Sequence, residues 1–277
     1  MPTHPTTTRE ETRSLQDYGG SPPENYERYF VPAIGAPLAH ELVDAAALEA
    51  GERVLDMACG TGVVARLAAQ QVGAGGAVTG VDVNSGMLGV ARSVATEGAA
   101  IEWREADAAA TGLPDGSYDA ALCALGLQFF GDRGGALREL RRVLRPGGRV
   151  AITVPGSTPP MFDILERALA EHVAPDAARF VAAVFSISEP AALERLLVDA
   201  GFESVAVTRV TRTLQLPPPV DFLWQYVAST PLASIVAALD EGARAALARD
   251  VAEQWRPFAP SGGPMGLELG VLIATGR

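Results

Sequence analysis

The chain has 277 residues, 22 Lys and Arg against 33 Asp and Glu, and a formal charge of -11, which opposes any surface built to track phosphates and argues against a nucleic-acid partner. Hydrophobic residues make up 48% but aromatics only 6%; 48 alanines supply much of the apolar count, and no uncharged apolar run, Ala120 to Gly131 included, approaches the ~18–20 residues of a membrane-spanning helix. Two Cys far apart exclude a disulfide framework and a Cys-only zinc site, and the N-terminal MPTHPTTTREETRS lacks the basic and apolar regions of a signal peptide; the expectation is a cytoplasmic protein with no membrane partner, monomeric or homodimeric.

Residues 1–14 carry no periodicity and are expected to be a disordered leader. The segment YGGSPPENYERYF (Tyr18 to Phe30) gathers three Tyr and a Phe around Gly-Gly and Pro-Pro and reads as a docking segment, followed by a helix over 35–50; together they predict an N-terminal helical lid over 15–50. From Gly51 onward short apolar runs at Val54–Ala58, Ala77–Val83, Ile101–Asp107, Ala120–Leu125 and Arg149–Val154 alternate with helical segments, the signature of parallel βαβ units and an α/β fold. The third run alternates apolar and charged residues, which places it near a sheet edge. Helices are expected over Val63–Gln71, Gly134–Leu144 (stopped by Arg-Pro-Gly-Gly), Pro160–Ala174 and Ser188–Gly201, the last with Ser188 as N-cap and Gly201 as stop. Glu203–Leu216 and Gly266–Gly276 add two strands, and the helical stretch between them, about 217–260, is expected to cap a site.

The motif that carries chemistry is Val54-Leu55-Asp56-Met57-Ala58-Cys59-Gly60-Thr61-Gly62. A buried strand enters a Gly-x-Gly turn that opens a helix, so backbone approaches a ligand closely and free helix N–H groups face it. Twenty residues after Gly62 stands Asp82, at the distance of a carboxylate that accepts ribose hydroxyls. Gly60-x-Gly62-x-x-Ala65 also satisfies a relaxed dinucleotide fingerprint, so a nicotinamide-dependent oxidoreductase is the alternative. Asp56 favours a different ligand, because a carboxylate at that strand end sits badly beside a pyrophosphate and well beside an ammonium group.

VLDMACGTG, GVDVN, EADAAATGLPDGSYDAALCALGLQFF and RELRRVLRPGGRVAITV, in that order over Tyr26 to Val154, resemble the motifs of class I S-adenosylmethionine-dependent methyltransferases, in the branch related to ubiquinone/menaquinone C-methyltransferases and secondary-metabolite enzymes. Ala58 departs from the first glycine of the loop in many members. The resemblance implies a Rossmann-like seven-stranded, mostly parallel sheet with an antiparallel last strand, helices on both faces and a helical cap. It implies a cofactor-binding core over 51–156 and substrate-side elements over 157–277. It further implies S-adenosyl-L-methionine as cofactor, with Asp56, Cys59, Gly60, Thr61 and Gly62 along its methionine and ribose, Asp82 on the ribose hydroxyls, and Val83 and Met87 against the adenine. Asp107 and Ala108 match the positions that meet the adenine edge, Ala124 and Leu125 those that face the methionine amine, and Tyr18 and Tyr26 the aromatics that fold over the cofactor.

Methyl transfer from a sulfonium is an in-line displacement that rests on alignment and exclusion of water. A base would serve a hydroxyl or enolic acceptor, and of His4, His40 and His172 only His172 continues an apolar helix face, behind Phe162, Leu165 and Leu169. Scarce aromatics collect at Phe129, Phe130, Phe162, Phe185, Phe222, Trp224 and Tyr226, which are nominated as walls for a small, largely apolar acceptor. No residues show metal-ligand spacing. A methyltransferase-fold enzyme that holds the sulfonium while catalysing another reaction remains a second alternative.

Overall fold

Short β-branched runs separated by helices satisfy their backbone groups by pairing side by side, and the chain does this in one sheet. The computed structural model describes residues 20–260 and 263–277; the expected leader and Tyr18 lie outside them. In chain order come α1 (Pro22–Asn25) running into a π-helical stretch (Tyr26–Gly35), α2 (Ala36–Ala46), β1 (Arg53–Met57), α3 (Val63–Val72), β2 (Ala77–Asp82), α4 (Ser85–Ser93), β3 (Ala100–Glu105) and β4 (Tyr118–Ala124). A 3-10 turn (Leu127–Phe129), α5 (Arg133–Val143), β5 (Leu144–Pro155), α6 (Pro160–His172), α7 (Pro175–Val184) and α8 (Pro190–Asp199) follow. The chain closes with β6 (Ala206–Leu216), α9 (Pro219–Ala228), α10 (Leu232–Ala237), α11 (Glu241–Trp255), a second 3-10 turn (Arg256–Phe258) and β7 (Met265–Gly276).

The seven strands lie in the order β3-β2-β1-β4-β5-β7-β6. Strands β1 to β5 pair in parallel and β7 runs antiparallel to β5, from Val150 opposite Gly276 to Pro155 opposite Val271. The alternating strand is at the edge, as its charged face requires. Topology reverses between β1 and β4, which pair directly, so the carboxyl ends of these strands open a crevice suited to a ligand.

The chain forms two compact units. The sheet unit holds Ile34–Thr158, Ala183–Arg212 and Leu269–Arg277. On one face Leu55, Met57, Leu122's neighbours Ala121 and Cys123, Ile152 and Leu272 pack with Leu137 and Leu140 of α5 and Leu193 and Leu197 of α8. On the other, Val54, Val78 and Leu122 pack with Leu42 of α2 and Val64, Ala65 and Ala68 of α3. Burial of these side chains, at roughly 1.5–3 kcal/mol for each large one, drives assembly of the layers.

The second unit holds the described residues up to Ala33, Pro159–Ala182 and the described part of Thr213–Glu268. Its helices α6 and α11 pack together, and the Trp255 indole donates to the Met161 carbonyl at 3.0 Å. Ser229 Oγ donates to the Asn25 carbonyl at 3.0 Å and joins α9 to α1. No helix among the described residues is long and apolar enough to cross a membrane.

Local expectations differ from the structure in three places. Helix α5 ends at Val143, one residue before the expected Leu144, but the Arg-Pro-Gly-Gly stretch lies within the span of β5 as a bulge: Leu144 is already extended (φ -74, ψ 135), Gly147 has φ +80, and pairing with β4 resumes at Arg149. Ser188 is not the cap of α8; Glu189 holds that position without a side-chain bond, because Pro190 fixes the first turn. Helix α7 was not expected, and α4 occupies the place between β2 and β3 where a helical segment was expected without bounds. The start of α4 is marked by Asn84, whose Oδ1 accepts from the amides of Gly86 and Met87 at 2.9 and 3.2 Å.

Candidate active site

The turn after β1 is shaped by backbone conformations that few residues adopt. Ala58 has φ +57, Gly60 +53 and Gly62 +88. Alanine at 58 therefore takes the left-handed conformation that glycine takes without strain. From Gly62, α3 begins at Val63, and no side chain caps its first amides.

Asp56 lies at the carboxyl end of β1, is 1% exposed, and among the described residues neither of its carboxylate oxygens has a hydrogen-bond partner within 3.5 Å, the Ala65 amide being a weaker neighbour. Burial pushes its carboxyl up to about 8; the Ala65 amide and the Arg66 charge oppose the shift, and the charge of Asp82 adds to it. Thr61 Oγ1 and Gln128 Oε1 are likewise buried without partners. Unpaired buried polar atoms are costly, and these four, on the end of β1 and on the segments that follow β1 and β4, form an acceptor set matched to a cationic, hydrogen-bond-donating group.

Asp82 ends β2. Its Oδ2 accepts from the Gly60 amide at 2.8 Å and its Oδ1 from the Asn84 amide at 2.8 Å, which leaves further lone pairs on each oxygen for ligand hydroxyls. Beside it is a cavity of about 270 Å³ lined by Met57, Ala58, Val81, Asp82, Val83, Ala106 to Ala109, Phe129 to Asp132 and Ala136. The expected Asp82, Val83, Asp107, Ala108, Phe129 and Phe130 thus share one cleft, with Val83 70% and Phe129 50% exposed. Asp107 Oδ1 accepts from the Ala109 amide at 2.7 Å, which shapes the loop.

Cys59 and Cys123 are buried free thiols; burial pushes Cys123 up to about 12 and Cys59 higher still, so both are protonated packing groups. Met87 is half-buried on α4, and Ala124 ends β4. Leu125 has φ +52, donates its amide to Thr153 O at 2.9 Å and accepts from Gln128 Nε2 at 2.8 Å. Gln128 was not among the expected residues. Its position four residues past the end of β4 is a sequence signal only when the turn at Leu125 is known.

The remaining nominated residues fall elsewhere. Phe185 is buried in the sheet unit. In the second unit Tyr26 stacks on Phe30 with centroids 4.6 Å apart, and Tyr226 is surrounded by Phe162, Phe222, Phe180 and Phe30 at 5.4 to 6.5 Å. Trp224 is 1% exposed and its indole nitrogen has no hydrogen-bond partner among the described residues. His172, at the end of α6, places Nε2 3.0 Å from Asp250 Oδ2 on α11, and Gln254 Nε2 holds the other Asp250 oxygen at 2.8 Å. Glu171 completes a group of three potential metal ligands there, which the spacing of the sequence did not suggest.

Comparison with known proteins agrees with this geometry. A family profile described as a methyltransferase domain matches residues 55–152. The chain is 35% identical to the demethylmenaquinone methyltransferase of Thermus thermophilus over 173 residues, 58% of this chain and 78% of that protein. It is 37% identical to the aklanonic acid methyltransferase of a Streptomyces species over 147 residues, 50% of this chain and 67% of that protein. Matches to some quinone C-methyltransferases are shorter: the one from Hahella chejuensis is spanned for 45% of its length. Among solved structures, phosphoethanolamine N-methyltransferase 2 of Haemonchus contortus, in complex with S-adenosyl-L-methionine, has a TM-score of 0.53 at 18% identity, covering 86% of this chain and 51% of that one, a likeness of fold. The chain belongs to the S-adenosylmethionine-dependent methyltransferase family.

Proposed function

We propose that the chain transfers a methyl group from S-adenosylmethionine to oxygen or carbon of a small, largely apolar metabolite of the quinone or polyketide kind. The observation that carries the cofactor reading is Asp56, a buried carboxylate with no partner at the head of the glycine turn. A sulfonium amino acid supplies the ammonium it lacks, whereas the pyrophosphate of a nicotinamide cofactor would add like charge. In this reading Thr61, Gln128 and Leu125 O complete the acceptors around the methionine amine, Asp82 holds the ribose, and Val83, Met87, Asp107 and Ala108 enclose the adenine.

The acceptor class follows from the relatives named above and from Phe129 and Phe130 in the cleft wall. The cofactor supplies the methyl group; the protein aligns the acceptor and excludes water. His172, oriented by Asp250, is proposed as the base for a hydroxyl or enolic acceptor. The aromatic residues Tyr26, Phe162, Phe222, Trp224 and Tyr226 are proposed to bound the acceptor.

The test is incubation of the protein with labelled S-adenosylmethionine and a panel of hydroxylated naphthoquinones and anthraquinones, read by mass spectrometry. Labelled product together with S-adenosylhomocysteine supports the proposal. Cofactor binding with an acceptor transformed but no S-adenosylhomocysteine released would assign the non-methylating chemistry instead.

A further inference from the structure

Three residues on adjacent strands occupy one register row: Asp56 on β1 is opposite Gly80 on β2, and Gly80 is opposite Trp103 on β3. Neighbours in such a row project to the same face of a parallel sheet. At the middle position there is no side chain, and the space is filled from the edge strand. A Cβ at Gly80 would lie 2.5 Å from Cε3 and Cζ3 of Trp103. The same indole reaches the glycine turn, where a Cβ at Gly62 would overlap Cη2 and lie 3.0 and 3.2 Å from Cζ3 and Cζ2.

The six-membered ring of Trp103 is therefore wedged between a bare stretch of β2 and the last glycine of the turn. Gly62 stands at φ +88 immediately before α3, so its position aims the first amides of that helix. Arg92 Nη2 donates to the Trp103 carbonyl at 3.3 Å and ties the edge strand at this point to α4. Only the benzo ring of an indole, which extends beyond the reach of a phenyl ring on the same backbone, meets both glycines.

We propose that Trp103 is a positioning residue for the cofactor turn: it crosses Gly80 to support Gly62 from the sheet side and so sets the approach of the Cys59 to Gly62 backbone to the ligand. The role rests on the proposed cofactor reading. It differs from ordinary core packing in that the indole is half-buried on an edge strand and meets β2 and the turn at two positions, Gly80 and Gly62, that have no side chain. Trp103 does not contact the reacting atoms, and its loss acts on cofactor affinity before turnover.

The test is calorimetry with S-adenosylhomocysteine on the full chain and on Trp103→Ala, Trp103→Phe, Gly80→Ala and the double variant Trp103→Ala/Gly80→Ala. The wild type is expected to bind; Trp103→Ala should raise Kd at least 10-fold, Trp103→Phe less, and Gly80→Ala, whose Cβ would displace the ring and also lie 3.1 Å from Cys59 Sγ, by several-fold. In the double variant the two effects should fall clearly short of multiplying. Intrinsic fluorescence should respond to ligand in the wild type and lose most of that response in Trp103→Phe, which keeps Trp224 and Trp255. With a measured acceptor, KM for cofactor should rise while kcat at saturating cofactor stays within about threefold. Wild-type affinity in Trp103→Ala and Gly80→Ala, or independent effects in the double variant, overturns the role of Trp103 and leaves the cofactor assignment standing. Absence of binding by the wild type overturns both. Should Trp103→Ala fail to fold, Trp103→Phe and Gly80→Ala decide the question by the same criteria.

Discussion

Oδ2 of Asp82 accepts a hydrogen bond from the amide of Gly60 at 2.8 Å. The end of β2 is thereby joined to the turn that leaves β1, so the residue proposed to hold the ribose also sets the loop proposed to hold the methionine. Asp82→Ala removes both functions and should weaken S-adenosylhomocysteine binding by about 1.5–3 kcal/mol. Calorimetry at constant pH measures this, and an unchanged Kd would remove Asp82 from the site.

Asp56 makes ligand binding depend on pH. Its carboxyl is raised to about 8 in the unliganded protein, chiefly by burial, with Asp82 adding to the shift and Ala65 and Arg66 opposing it. An ammonium beside it favours the ionised form, so binding near neutral pH should release about one proton and affinity should climb until the pH passes about 8. The effect on folding has the opposite sign: the native state retains a proton that the unfolded chain loses near 3.8, so this group lowers stability as pH rises from there to about 8. Asp56→Asn should abolish the proton release, seen as binding enthalpy that no longer varies with buffer, and should flatten the stability profile across that window.

The pair His172 and Asp250 yields a kinetic prediction. If His172 is the base, His172→Ala should lower kcat by ~100-fold without altering the Kd for S-adenosylhomocysteine, and Asp250→Asn should lower it by less. Unchanged turnover in His172→Ala would leave the pair as a link between α6 and α11.

Gly126 follows β4, and a Cβ there would lie 2.7 Å from the Cβ of Ala58 and 3.2 Å from Cys123 Sγ. Both neighbours are held by backbone that cannot retreat freely, so Gly126→Ala should cost about 1–3 kcal/mol in urea unfolding. A stability equal to wild type would show that the turn after β1 yields.

Glu139 on α5 accepts from Thr111 N at 2.9 Å and Thr111 Oγ1 at 2.5 Å and pairs with Arg142 at 2.7 Å. Arg142 first, then Thr111, hold its carboxyl down at about 2 against the penalty of burial. Its contribution is complete above 4.5, the ordinary value of the carboxyl in the unfolded chain, and is lost as pH falls through about 2. Glu139→Gln should therefore destabilise the protein by about 1–3 kcal/mol at neutral pH, with the gap to wild type closing in acid.

The sequence by itself determined the sheet unit and the frame of its site. Apolar runs followed by Gly60-Thr61-Gly62, and Asp82 at its fixed interval, are local patterns whose backbone demands are met by few alternatives, which is why the strand series and the cluster of Asp82, Val83, Asp107 and Ala108 were legible. Ile101 to Glu105 betrayed its edge position because one face of that strand had to remain compatible with water. The helix stop before Arg-Pro-Gly-Gly was legible to within one residue, but not that Leu144 already pairs with β4 and that Arg145 to Gly148 bulge out before pairing resumes at Arg149. Only the tertiary structure decided that Asp56 has no partner, that Gln128 fastens Leu125, that His172 meets Asp250 from 78 residues away, and that Trp103 fills the space left by Gly80 and Gly62. Each of these depends on which side chains distant segments bring into one row or one contact, and a linear pattern records the periodicity of a segment but not the neighbour it will face.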